Sequence, residues 1–85
     1  MWQAKKDERY AVIISNLDDS VDDEALFDTF FQFGTILNNK VIQTIGGPNG
    51  YGYIQFACAE DVSDVIENVH GMLIAGCQVS VEKYQ

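Results

Sequence analysis

Eighty-five residues suffice for one domain that buries about 60–65% of its unfolded surface, which excludes a second core and leaves a modest stability margin. Hydrophobic residues make up 47% of the chain, but no run of them approaches the ~18 that a membrane-spanning helix requires. Five Lys and Arg against thirteen Asp and Glu give a formal charge of −8, which excludes a uniformly basic surface and confines any positive patch to one side.

Residues 1–9 are polar and charged and lack the apolar stretch of an export leader, so they read as a linker ahead of a domain over residues 10–85. The expected compartment is the cytoplasm, with the nucleus as a second one. Cys58 and Cys77 are then expected as free thiols. With His70 the single histidine, their spacing fits no zinc pattern, so neither a metal nor another cofactor is expected.

Residues 10–15, Tyr-Ala-Val-Ile-Ile-Ser, are β-branched and aromatic and predict a first strand, ended by Asn16, Asp18 and Asp19. Asp22 can cap a helix, with Val21 before it placed to pack on Leu26. Leu26, Phe30 and Phe33 carry the helical repeat and Gly34 stops it. A second strand is expected over residues 36–45, interrupted in character by Asn38 and Asn39. Gly46, Gly47, Pro48, Asn49 and Gly50 form the clearest loop. Residues 51–56 alternate strictly, with Tyr51, Tyr53 and Gln55 on one side and Gly52, Ile54 and Phe56 on the other. Val62, Val65, Ile66 and Val69 predict a second amphipathic helix to about His70 and Gly71. Val79 and Val81, alternating with Ser80 and Glu82, predict the last strand.

The order β-α-β-β-α-β implies an α+β, ferredoxin-like sandwich: a four-stranded antiparallel sheet with two helices on one face. The sheet's other face must look at solvent. Val12 and Ile14 serve the core, which leaves Ile13 and Ser15 on the open face beside Tyr51, Tyr53 and Gln55. Exposed aromatics at alternate strand positions offer a surface on which flat bases stack, each stack being worth about 1–3 kcal/mol. Tyrosines also occur on strands for their β-propensity alone, and a lone pair is more often structural.

The surrounding run decides between these readings. Asn49-Gly50-Tyr51-Gly52-Tyr53-Ile54-Gln55-Phe56 resembles the longer signature of the RNA-recognition motifs, basic-Gly-aromatic-Gly/Ala-Phe-Val-x-aromatic. Val12-Ile13-Ile14-Ser15-Asn16-Leu17 resembles the shorter one. Two positions depart: Asn49 stands where the family has a basic residue against a phosphate and is expected to offer the RNA a hydrogen bond without charge, and Ile13 stands where it has a stacking ring. The stretches Asn16-Leu17-Asp18-Asp19-Ser20-Val21-Asp22, Ala25-Leu26-Phe27-Asp28-Thr29-Phe30, Phe33-Gly34-Thr35-Ile36-Leu37 and His70-Gly71-Met72-Leu73-Ile74 look like the second such domain of cytoplasmic poly(A)-binding proteins.

That resemblance implies single-stranded, adenine-rich RNA as ligand, a neighbouring motif in a longer protein, and a role in mRNA stability and translation. It makes Trp2 and Gln3, in the linker, candidates for adenine contact. It places Lys40 and Ile42, and Lys83 and Gln85, along the RNA trough. Ser15, Asn16, Gln55 and Gln85 are expected to supply polar contacts, Lys40 and Lys83 to meet phosphates, and Ile13 to give apolar support. The domain is expected to be a monomer.

The main rival is a protein-binding motif that uses the acidic first helix, Asp22, Asp23, Glu24 and Asp28, to hold a basic or translation-factor partner. The two uses can coexist on separate faces, and the resemblance implies a meeting with the scaffold subunit of the cap-binding translation factor. An unremarkable solvated helix face explains the same acids. Catalysis fits least. A phosphate-processing enzyme on this topology needs an arginine and a cradle of amides after the first strand, where this chain has Asp18 and Asp19. His70 has no nucleophile to work with, and Gly46, Gly47 and Gly50 precede no GK[ST] and open no helix.

Overall fold

In the computed structural model, which describes residues 10–43 and 49–84, the chain runs β1 (Ala11–Leu17), α1 (Asp23–Phe30), a 3-10 turn (Phe31–Phe33), β2 (Ile36–Ile42), β3 (Gly50–Phe56), α2 (Ala59–Val69), a small hairpin of β4 (Leu73–Ile74) and β5 (Cys77–Gln78), and β6 (Ser80–Lys83). Strands β2, β3, β1 and β6 lie side by side in that order, all neighbours antiparallel. Leu26 and Phe30 of α1 and Val62, Val65 and Val69 of α2 meet Val12, Ile14, Leu17, Ile54, Phe56 and Val81 in one core, so both helices cover the same face. This is the expected α+β sandwich.

Local chemistry explains where the elements start and stop. Asp22 caps α1 by accepting a hydrogen bond from the Ala25 backbone N–H at 2.8 Å, a contact typically worth about 1 kcal/mol. Val21 and Leu26, five residues apart, are both buried and fix the entry of the chain. Asp23 then does a second job. Its carboxylate accepts the outward N–H of Val41 on edge strand β2 at 2.7 Å, and its carbonyl accepts the Asn39 side-chain amide at 2.8 Å. Asn39, which weakens the strand by propensity, thus ties β2 to α1. At the opposite edge His70, just past α2, accepts the Val81 N–H of β6 through Nδ1 at 3.0 Å.

Two bulges set which side chains reach the core. Ser15 pairs with Tyr51 and Leu17 with Gly50, so β1 carries one extra residue, Asn16, in the left-handed region at φ 69°. Asparagine tolerates that conformation better than most residues. The insertion turns Leu17 into the core, where strict alternation from Ser15 would have left it on the open face. A second bulge puts Leu37 out of register between Ile36 and Asn38. Gly52 lies under both Leu17 and Leu26; a Cβ there would come within 2.8 Å of Leu17 Cδ1 and 3.1 Å of Leu26 Cδ2.

Three expectations change. The last strand begins at Ser80, and ahead of it stands the β4–β5 hairpin, whose turn places Ala75 at φ 52° and Gly76 at φ 83°. The first helix gives way to a 3-10 turn before Gly34, so Phe33 packs from that turn. The second strand ends at Ile42, short of the expected Ile45, with Gln43 already outside it, and the linker lies outside the described residues.

Candidate nucleic-acid interface

The register lays out the open face as cross-strand rows. Lys40, Tyr53, Ile13 and Glu82 form the central row across β2, β3, β1 and β6. Ile42, Tyr51, Ser15 and Ser80 form the next. Directly opposed residues share a face, and the burial of Val12, Ile14, Ile54 and Val81 fixes the other side as the core. Tyr51 is 49% exposed and Ile42 56%, so together they present an apolar step to solvent. Tyr53 is half-buried beside them.

A third row runs Asn38, Gln55, Ala11, closed by Tyr84, whose N–H donates to the Ala11 carbonyl at 2.9 Å and so continues the β6 ladder. The Tyr84 ring stands edge-on to Tyr53, centroids 5.4 Å apart at 86°. Since β6 and β3 lie two strand spacings apart, about 9.6 Å, that ring must reach across β1. Tyr84 is therefore a further aromatic of the open face, one that the sequence reading passed over. The signal was present: Ser80, Glu82 and Tyr84 alternate against Val79 and Val81.

The same alternation corrects Lys83. It pairs with core residue Val12, so its side chain leaves the sheet on the helix side, and Glu82 takes the open-face position at that edge. Gln55 also differs from expectation. It lies on the open side of β3 but is only 7% exposed, in the row that Tyr84 closes. Lys40 stands on the open face beside Tyr53. Trp2, Gln3 and Gln85 lie outside the described residues.

Asn16 and Asn49 form a latch at one end of the sheet. The Asn16 amide donates to the Gln78 carbonyl at 2.8 Å, and the Asn49 amide donates to the Asn16 side-chain oxygen at 2.5 Å and toward Cys77 Sγ at 3.7 Å. The Cys77 thiol in turn faces an Asp18 carboxylate oxygen at 3.8 Å. Hydrogen bonds from the Ser20 hydroxyl and backbone N–H hold the Asp18 carboxyl below its ordinary value of 3.8. The departure at Asn49 from the basic residue of the signature thus has a local use: a neutral amide joins the β2–β3 loop to β1 and β5.

Charge divides between the faces. Asp23, Glu24 and Asp28 lie on α1 and Glu60, Asp61, Asp64 and Glu67 on α2, both behind the sheet. On the open face, among the described residues, the charged members of the rows are Lys40 and Glu82.

A profile of the family described as RNA recognition motif matches residues 12–80. The chain belongs to the RNA recognition motif family. This motif is 45% identical over 71 residues, 82% of its length, to polyadenylate-binding protein 5 of Arabidopsis thaliana, and it spans about a tenth of the length of that relative. Among solved structures it is similar to the RRM3 domain of Gbp2, at TM-score 0.80 and 24% identity over 93% of this chain and 79% of that one. The RRM3 domain of Mip6 superposes at TM-score 0.85 with 12% identity, over 92% of this chain and 95% of that one. At those identities the structures speak for the fold.

Proposed function

We propose that this motif binds single-stranded, adenine-rich RNA on its open sheet face, as one domain of a longer poly(A)-binding protein that acts in mRNA stability and translation. The observation that carries the reading is the projection of Tyr51 and Tyr53 from alternate positions of a central strand onto the face opposite both helices. They stand about 6.8 Å apart along β3, and unstacked bases can lie on such rings. Ile13 supports from the neighbouring strand, Lys40 meets a phosphate, and Ser15 offers a hydroxyl. Trp2, Gln3 and Gln85 enter the proposal through the resemblance to poly(A)-binding proteins, and the 45% identity to a polyadenylate-binding protein supports the choice of ligand. The domain acts as a monomer in the cytoplasm.

An amide-shift titration with oligo(A) tests this. Shifts are expected along β1, β2 and β3, centred on Ile13, Lys40, Tyr51 and Tyr53. Shifts confined to α1 and α2 would refute it and favour a second reading, for which there is one specific observation. Phe27 and Phe31 stack at 5.3 Å on the outer side of α1 and its following turn, Phe31 58% exposed, among Asp23, Glu24 and Asp28. An apolar step rimmed by carboxylates suits a basic, aromatic-bearing peptide, of the kind a translation-factor scaffold could supply.

A further inference from the structure

Glu82 has no place in the stacking platform, and among the described residues nothing neutralises it. It lies on the open face of β6, directly opposite Ile13 on β1, where Cβ atoms of paired residues stand about 5 Å apart. Among the described residues its exposed carboxylate makes no hydrogen bond or ion pair. Lys40 occupies the same row, but at the far end. Three strand spacings, about 14 Å, separate the two, beyond the roughly 8 Å over which salt leaves such charges coupled. The row is therefore polarised, with a cation at the β2 end, a ring and an apolar side chain in the middle, and a bare acceptor at the β6 end.

Such a row orients a nucleotide. Phosphates are drawn to Lys40 and repelled by Glu82, so a base lying over Tyr53 and Ile13 directs its edge toward β6. There it meets a group that can only accept hydrogen bonds. Adenine and cytosine present an exocyclic amine, a donor, at that edge; uracil presents a carbonyl oxygen in its place, and its one donor, N3–H, is flanked by carbonyl oxygens on both sides. A carboxylate facing an amine makes a charge-assisted bond, whereas one facing a carbonyl is desolvated without return.

We infer that Glu82 is a specificity-determining residue that favours adenine and cytosine over uracil at the position over Ile13. The inference rests on the proposed RNA platform and deepens it. Stripped of that reading, Glu82 would be a surface charge on an edge strand.

The test compares the unmodified chain with Glu82→Gln and Glu82→Ala against labelled oligo(A), oligo(C) and oligo(U) by fluorescence anisotropy, with an amide spectrum to verify the fold of each variant. Removing the charge lifts a repulsion that all three ligands share, so the quantity to read is the affinity ratio, A to U and C to U. Both ratios are expected to fall about five- to tenfold in Glu82→Gln, whose amide can also donate to uracil. Glu82→Ala should lower both ratios as well, without the gain in oligo(U) binding specific to the amide. If all affinities rise together and the ratios hold within about twofold, Glu82 acts as charge alone and the inference fails while the platform reading stands. If the unmodified chain binds none of the oligonucleotides, the platform reading fails and the inference with it.

Discussion

Lys40 and Lys83 look equivalent in the sequence and should behave differently on RNA. Lys40 stands beside Tyr53 on the open face, and Lys83 pairs with the buried Val12 and leaves on the helix side. Each phosphate neutralised on a single strand contributes about −0.7 to the slope of log K against log salt. Lys40→Gln should therefore make the slope with oligo(A) shallower by about 0.7. Carried from a 1 M reference to physiological salt, this is an affinity loss of about fourfold, or about 0.8 kcal/mol. Lys83→Gln should shift the slope by less than about 0.2. Anisotropy titrations at a series of salt concentrations measure both. Equal loss of slope in the two variants would refute the assignment of faces, because it would require the Lys83 chain to bend around the β6 edge into the RNA path.

Three further outcomes are expected. Asn16→Ala should cost about 1–3 kcal/mol in urea denaturation, since it puts a strained residue at φ 69° and removes the hydrogen bonds of the Asn16 side chain to Gln78 and Asn49. Ala75→Asn should stabilise by about 0.5–1 kcal/mol, raising the melting temperature by about 2–8 °C, because it relieves a left-handed alanine in the β4–β5 turn. The Asp18 carboxyl should titrate below 3.8 in the folded chain, and Ser20→Ala should move it back up. Because the folded value is depressed, the associated stability is present above the unfolded value and is lost as pH falls through the folded one. The difference between parent and Ser20→Ala should therefore close in strong acid, as followed by urea denaturation at stepped pH.

The sequence made the elements legible wherever hydrophobic period and chain length agreed. The strict alternation of residues 51–56 located β3 and its faces, and the Val62–Val65–Val69 repeat located α2. Readings based on strict alternation fail at a bulge, and Leu17 reaches the core only because Asn16 is inserted before it. The β4–β5 hairpin was hidden because two-residue arms are too short to show a period, and its Ala-Gly turn lacks the usual Asn-Gly signal. At the site, Tyr51, Tyr53 and Ile13 were placed by alternation, and Lys40 by the resemblance. Lys83 was assigned from the resemblance against its own alternation, and Tyr84 was missed for the same reason. The roles of Asn16 and Asn49 as a latch depend on loops distant in sequence, up to 62 residues for Asn16 and Gln78, and no local pattern announces them.

The two edge contacts, Asp23 on Val41 and His70 on Val81, bear on how such a domain tolerates company. Copies arrayed along one RNA strand meet one another at effective concentrations in the millimolar range, where unsatisfied strand edges recruit one another. Here each flank already has one of its donors occupied by a side chain from an adjoining helix or its end, so a neighbour's strand would have to displace a carboxylate on one side or an imidazole on the other. Edge donors held from within the domain thus oppose sheet-to-sheet pairing between neighbours.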